Sequence, residues 1–584
     1  MDQNPLPHPS PYDRVRPWLP WLVFFFALAV RLPGIGWGLP NGLHNQSYHP
    51  DEQVIFSFSQ QIDVGHGKLL PGDYHYGSLY LTLLSLASKV IAGYGGGAGA
   101  TIASFWAFVG RVDLAGRILN ALAGAGTALV LFLMLRRQTG MLGSLAGALF
   151  IALAPGFVVH SRFQTVDVLA TFLLTLSLYY CTLLIPSGKD REAFQGKFLR
   201  FAVLAGLFAG LSAGTKYTGI LALVGLWTAC MLSGSRGRFK AAAMGTGAAL
   251  AAFFLSTPGA IFDSRSFWRD FRYEMIHTST GHDLLFVDVG NGFVYHLVNL
   301  TAGLSPLLFL LSAIGLIAAM RVQWPAQRDG SKTWFLVLAA FSLVYYILIG
   351  RAEVLFLRYT LPLYIVLAAS FGWWMGEAHA RSGSHRGIVA LGILSLGMAG
   401  MATMQYTSWM AGTDPRDVTA LELRSIAKSK PNTTVGIVSD PWYYTPPLIP
   451  DGAIMRGLWP MGPPRSVEDG QIEEMAATRD PHLEQAVDPA LPQSRFDWDS
   501  RLVSGLKPDY IVYSSFEQYD VNRLQGVKGL DSTAQLRVDR YRDFQKQLSA
   551  SYKLDSWEQP DFITIPDLEY VHPYIYLWKR NDLN

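Results

Sequence analysis

As far as about residue 410 the chain alternates long apolar runs with short polar stretches, and then its character changes. A helix rising 1.5 Å per residue needs about 20 mostly apolar residues to cross about 30 Å of hydrocarbon. On that rule the pattern predicts spans near 17–37, 113–135, 141–160, 166–185, 200–215, 217–233, 240–257, 294–320, 333–350, 359–378 and 387–407. Arg14 and Arg16 precede the first, but no small-x-small cleavage site follows it, so it reads as a retained anchor. The Lys/Arg bias of short loops sets orientation. With a cytoplasmic N-terminus, Arg136/Arg137, Lys189/Arg191/Lys197, Arg236/Arg238/Lys240, Arg321/Arg328/Lys332 and Arg381/Arg386 all fall inside. The series holds only if the moderately apolar stretch 78–90 does not cross, so it is expected flat or re-entrant at the outer surface. Eleven spans follow, with the N-terminus in and the C-terminus out.

From about Thr413 charge rises, long apolar runs cease and prolines cluster, among them Pro441, Pro446, Pro447 and Pro450. Short β-like runs at 434–438, 510–513 and 574–578, with helical patterns at 414–430 and 533–549, predict a soluble α/β domain on the outer face. The expected division is 1–412 for the membrane domain, with a first outer loop at 38–77, and 413–584 for the soluble one. The sequon Asn432-Thr433-Thr434 matters only in a cell that N-glycosylates.

Composition agrees with the pattern. Of 584 residues, 50% are apolar and 16% charged, against about 25% charged in an average soluble domain. Mean hydropathy is +0.22. The fold class is therefore an α-helical polytopic membrane protein carrying a C-terminal α/β domain. A net charge of +3 gives no reason to expect a nucleic-acid partner, and two cysteines make no disulfide framework.

The first outer loop is the most unusual stretch, with Tyr48-His49-Pro50-Asp51-Glu52 and then Pro71-Gly72-Asp73-Tyr74-His75-Tyr76-Gly77. On a helix starting after Pro50, Asp51 and Glu52 point about 100° apart, so they cannot share one partner. They can stabilise the helix N-terminus through its dipole, or one can serve as a base at the membrane surface. Arg162 and Asp167 lie at the outer end of two spans, Lys216 at the next outer turn, and Arg358-Tyr359 at a third. Each cation can be a snorkelling anchor, yet all converge on one face. Ionisable groups near membrane depth are expensive and tend to be functional. A carboxylate with several cations and no nucleotide-binding loop suits a phosphate-bearing lipid.

His49-Pro50-Asp51-Glu52, Arg117, Ser161-Arg162 with Asp167, Gly210…Thr215-Lys216-Tyr217 and Arg358-Tyr359…Pro362 together resemble the membrane-embedded GT-C glycosyltransferases over about 15–410. They are similar to the protein O-mannosyltransferase family and its bacterial relatives, the aminoarabinose transferases of lipid A. The flat stretch 78–90 matches the juxtamembrane helices of that fold. The resemblance implies transfer of a sugar from a polyprenyl-phosphate donor to an acceptor outside the cytoplasm, with inversion. It makes Asp51 the base, with Glu52 beside it, and Arg358 and Lys216 the partners of the leaving phosphate, with Arg162 behind them. His49, Tyr76, Asp167 and Tyr359 join them as substrate contacts. The family's lipid A-modifying members carry a Lys where this loop reads Asp73-Tyr74-His75-Tyr76-Gly77, so His75 or Tyr76 stands in or the later cations act alone. No loop between spans is long enough for the β-trefoil insert of eukaryotic protein mannosyltransferases. The acceptor is thus left open among glycan, lipid and protein.

In the outer loop 258–293, Glu274, His277 and His282 leave a divalent metal open, though zinc prefers three or more well-spaced ligands. Phosphate or acceptor contact is the expected role of His282, and hydrogen-bonded helix packing that of His296. The aromatic cluster around Tyr443-Tyr444 is expected to be structural. No motif demands a cofactor. A transporter or glycolipid flippase is the rival reading, but the mid-helix regions are nearly free of charge and no repeat is present. The Trp-Trp-Asp of oligosaccharyltransferases is absent, since Trp373-Trp374 continues into Met375-Gly376.

Overall fold

The computed structural model describes residues 17–41, 43–44, 47–99, 102–185, 196–323, 333–380, 386–430, 433–438, 443–448, 484–485, 498–555 and 565–583. Arg14, Arg16, Lys189, Arg191, Arg328, Lys332, Arg381, Asn432, Pro441 and Pro450 lie outside the described residues.

The first half of the chain is helical. Helix α1 (Leu19–Arg31) leads into the loop 38–77, which carries α2 (Pro50–Ser59), and α3 (Ser78–Ile91) follows it. Next come α4 (Ile102–Arg136), α5 (Gly140–Leu153), α6 (Pro155–His160), α7 (Val166–Leu183) and α8 (Phe198–Ala213). Helices α9 (Ala222–Leu232), α10 (Arg238–Ser256) and α11 (Ser264–Thr280) follow, then α12 (Gly292–Leu304) and α13 (Pro306–Gln323). Helices α14 (Trp334–Gly350), α15 (Tyr364–Ala380) and α16 (Arg386–Ala411) complete the series. Every expected span falls on a helix or on two consecutive ones.

Among the described residues, four helical stretches are long and apolar enough to cross a membrane: Ser104–Arg136, Val166–Leu183, Arg238–Ser256 and Arg386–Ser429. The run expected as one span over 294–320 is instead broken between α12 and α13 by a bend of 118°. The cause is local: Ser305 adopts φ +75, and Pro306 has no N–H to continue the ladder. The stretch 78–90 is helical, as α3.

Small residues let these helices approach closely, as membrane bundles require in place of a hydrophobic drive. A Cβ on Gly206 of α8 would sit 1.8 Å from the Gly245 carbonyl oxygen of α10. Outward-facing Trp21, Leu22, Phe25 and Phe26 on α1, and Leu250, Phe254 and Leu255 on α10, are exposed apolar side chains suited to lipid.

After α17 (Pro415–Ser429) the C-terminal region builds one sheet in the order β2-β1-β3-β5-β4. The strands are β1 (Thr434–Ile437), β2 (Glu484–Gln485), β3 (Tyr510–Ser514), β4 (Tyr552–Asp555) and β5 (Ile575–Arg580). Strand β1 runs parallel to β2 and β3, whereas β5 is antiparallel to β3 and β4. Side-chain alternation in β3 serves two cores. Tyr510 and Val512 pack with Ala420, Leu423 and Ala427 of α17. Ile511 and Tyr513 pack with Val521 of α18 (Ser515–Arg523) and with Val538, Tyr541 and Phe544 of α19 (Ser532–Ser551).

The two halves share a third core. Ile565, Leu568, Tyr570 and Val571, from the turn before β5, are buried with the apolar helices. This inserts a piece of the C-terminal region against the helical bundle.

Candidate active site

Helix α2 sets the directions of the two adjacent carboxylates. His49 is its N-cap in an extended conformation, with the ring Nδ1 accepting the Asp51 N–H at 3.2 Å. Pro50 at the first helical position is preorganised for the turn and loses no hydrogen bond there. Glu52 then points inward and Asp51 aside.

Glu52 is enclosed completely. Arg117 of α4 donates Nε to its Oε1 at 2.8 Å and Nη2 to its Oε2 at 2.7 Å, and neither side chain is exposed. The Gln164 N–H donates to Oε1 at 2.6 Å, and the Ser47 hydroxyl to Oε2. Burial opposes ionisation, but Arg117 outweighs it and holds this carboxyl below the usual range. Arg117 also donates to the carbonyls of Ile35 at 2.8 Å and Trp37 at 2.6 Å. The pair thereby ties the exit of α1, the start of α2 and the 164 turn together.

Asp51 has a different environment. Its Oδ2 lies 3.2 Å from Nη2 of Arg358, and the two side chains remain 27% and 14% exposed. Burial opposes its ionisation too, yet the fields of Arg358 and Lys216 prevail and keep it a carboxylate. His49 is pushed toward neutrality by burial, and His282 by burial and by His277. Burial and the Asp51 charge raise the Tyr76 phenol, so it stays protonated beside the carboxylate.

The remaining cations stand on neighbouring turns. Arg358 opens the 3-10 turn Leu357–Leu363, with its guanidinium carbon 4.2 Å from the Phe356 ring centroid. Lys216 donates to Asp167 Oδ1 at 2.6 Å and lies 4.3 Å from the Tyr359 ring centroid. Lys216, Asp167 and Arg358 line one cavity of about 10 Å³, roughly the room of a single water. The loop 38–77 is held against this turn by backbone contact. A Cβ on Gly77 would lie 2.1 Å from the Gly214 carbonyl oxygen. The Tyr217 hydroxyl donates to the carbonyls of Tyr74 at 2.7 Å and Tyr76 at 3.0 Å.

His49, Asp51, Tyr76, Asp167, Lys216, His282, Arg358 and Tyr359 are thus brought into one cluster. Arg162 is not. Its guanidinium donates to the Val30 carbonyl at 2.8 Å, to Thr407 Oγ1 at 2.7 Å and to the Arg31 carbonyl at 3.2 Å, bracing α1 against α16. His75 bonds Asp73 and comes within 4.0 Å of Glu274 Oε1. His277 and His282 have ring centroids 5.4 Å apart. Among the described residues, no group of three His, Cys, Asp or Glu side chains is placed to hold a metal ion. His296 packs as expected, with Nε2 3.2 Å from the Ile349 carbonyl oxygen.

The C-terminal region adds what sequence reasoning missed. Asp567 accepts the Arg358 N–H at 3.1 Å. Tyr444 and Tyr570 lie within the electrostatic reach of Asp51. Tyr444 stacks on Phe516 at 4.0 Å, and the Tyr443 carbonyl accepts Arg416 Nη1 at 2.7 Å, so the aromatic cluster packs within the fold. Nothing in the local sequence around Asp567 marks it for this role.

Residues 97–262 match the family model described as dolichyl-phosphate-mannose-protein mannosyltransferase. That stretch contains Arg117, Asp167 and Lys216, while Asp51 and Arg358 lie outside it. ArnT from Cupriavidus metallidurans bound to undecaprenyl phosphate is 14% identical, with 98% of each chain covered and a TM-score of 0.49. The Archaeoglobus fulgidus oligosaccharyltransferase AglB, in complex with an inhibitory peptide and a dolichol-phosphate, is 12% identical. That comparison covers 92% of this chain and 73% of the other, at a TM-score of 0.47. No curated protein matches the chain. The family match bears out the resemblance to the GT-C, protein mannosyltransferase-like group.

Proposed function

We propose that this membrane protein of the GT-C, mannosyltransferase-like group transfers one sugar from a polyprenyl-phosphate donor to an acceptor on the extracytoplasmic side. The family description, which names a lipid-phosphate sugar, supports the donor class. The partly exposed Asp51–Arg358 pair carries the reading, because it offers a base and a phosphate partner side by side.

The acceptor hydroxyl or amine attacks the anomeric carbon while Asp51 takes its proton. The bond from that carbon to the phosphate oxygen breaks, and the lipid phosphate leaves with the electron pair. A single displacement inverts the anomeric carbon. The phosphate keeps its charge and needs cations rather than an acid. Arg358 fits that role best, since a planar guanidinium can hold two phosphate oxygens at once. Its guanidinium pairs with Asp51, and an incoming phosphate competes for it and frees the carboxylate for the acceptor. Lys216 supplies the second cation, oriented by Asp167 and Tyr359. His49 holds the backbone of Asp51, and His282 and Tyr76 contact acceptor or donor hydroxyls. Glu52 serves as a positioning residue through Arg117, and Arg162 as a brace. The N-terminus is cytoplasmic and the C-terminal domain extracytoplasmic.

The test is release of sugar from radiolabelled polyprenyl-phosphate monosaccharides by purified wild type and Asp51→Asn. Slow transfer to water reveals the donor without knowledge of the acceptor. Turnover lost in the variant supports the base. No turnover and no binding with any donor would overturn the transferase reading and favour transport assays in proteoliposomes.

A further inference from the structure

We infer that Asp567, carried by the C-terminal domain, is a positioning residue that fixes Arg358 for the lipid phosphate, so the phosphate site is complete only with that domain docked. The inference rests on the reading of Arg358 as the phosphate partner. Asp567 sits in the turn Pro566–Glu569, among side chains buried with the transmembrane helices, and is only 4% exposed. Its Oδ2 accepts the Arg358 N–H at 3.1 Å, and the Leu357 N–H bonds the same carboxylate. These amides open the 3-10 turn Leu357–Leu363, and the first N–H groups of a helix find no carbonyl within it. An outside acceptor must satisfy them, and here it comes from a segment 209 residues later in the chain.

The consequence for Arg358 is geometric. Asp567 holds its backbone, Phe356 supports its guanidinium from one side, and Asp51 receives Nη2 at 3.2 Å. Releasing the backbone end lets the turn 357–358 relax and carries the guanidinium with it. A misplacement of about 1 Å is enough to matter at a preorganised site. Asp567 touches neither donor nor acceptor, so it acts entirely through Arg358. A carboxylate that only docked the domain would affect folding and the amount of active protein, but not the affinity for phosphate.

The experiment measures equilibrium binding of a fluorescent polyprenyl phosphate to the purified full-length protein in detergent, with a thermal midpoint for each variant. Asp567→Ala is expected to weaken binding about tenfold, and Asp567→Asn, which keeps an acceptor oxygen, by less than about threefold. Arg358→Ala weakens it further, and the double variant Arg358→Ala/Asp567→Ala should bind like Arg358→Ala alone, because coupled residues do not add. Wild-type affinity in Asp567→Ala, or losses that multiply in the double variant, would overturn the inference. Should Asp567→Ala misfold, Asp567→Glu keeps the charge but lengthens the arm, and weakened binding at an unchanged midpoint is expected of it. Wild-type affinity in both Asp567→Glu and Asp567→Asn would then refute the role. If the wild type itself does not bind polyprenyl phosphate, the reading of Arg358 fails first and this inference with it. That outcome differs from a wild type that binds and is indifferent to residue 567.

Discussion

Two ion pairs one residue apart in sequence stand in contrasting surroundings. Glu52–Arg117 is sealed, with both carboxylate oxygens and most of the guanidinium engaged by protein groups. Asp51–Arg358 is held by one contact at 3.2 Å and stays open to solvent. Both carboxyls are held below their usual range by a nearby cation against burial. Ionisation state therefore does not separate them. Access does: a pair whose partners are all protein can only hold the fold, whereas a pair with a free side can exchange its partner for a ligand.

The largest expected effect tests the sealed pair. Glu52→Gln leaves Arg117 buried without its counter-charge, and breaking such a pair costs about 3–5 kcal/mol. The expected outcome is loss of folded protein, read as yield and thermal midpoint in detergent. A normal midpoint with abolished transfer would break the comparison and move Glu52 into the chemistry. Next comes the open pair. Asp51→Asn should lower transfer by about 10²- to 10⁴-fold, the range of a lost general base, while the midpoint barely moves, since partly exposed pairs contribute about 0–1 kcal/mol. A large fall in the midpoint would show that this pair too is structural. Lys216→Met should weaken donor binding about tenfold, as loss of one of two phosphate cations does. Donor affinity that stays at the wild-type level would leave Arg358 as the only phosphate partner tested here.

The difference between the two pairs was half legible in the sequence. A helix starting at Pro50 forces residues 51 and 52 apart, which settles that they have separate partners but not which ones. The apolar helices were readable because long apolar runs stand out along the chain. The break in 294–320 was not, because hydropathy counts side chains and the bend at Ser305-Pro306 is a backbone event. Strand β4 escaped because its alternation lasts only four residues, Tyr552–Asp555, and follows directly on the helical pattern of α19. Arg162 and Arg358 look alike at span ends. Only the fold turns one toward the carbonyls of α1 and the other toward Asp51. Asp567 was invisible because its partner is a backbone amide 209 residues away, which leaves no side-chain pattern to find.

A third carboxylate sharpens the contrast by lacking what the other two have. Asp520 on α18 is half-buried, its buried Oδ1 has no hydrogen-bond partner among the described residues, and burial outweighs the field of Arg523. Its carboxyl is pushed up to about 7 from the ordinary aspartate value of 3.8. Between those values the folded state keeps a proton that the unfolded state has released. Stability therefore falls as pH rises through that window, and the cost is complete above about pH 7. Asp520→Asn removes the charge that burial penalises while preserving the shape. The variant should unfold close to wild type near pH 4 and a few degrees above it at pH 8, about 2–4 °C per kcal/mol for a domain of this size. The measurement is the thermal midpoint of the C-terminal domain at the two pH values. A difference independent of pH would mean that Asp520 does not titrate in this window, and that burial outweighing its cations is not what sets it apart from Asp51 and Glu52.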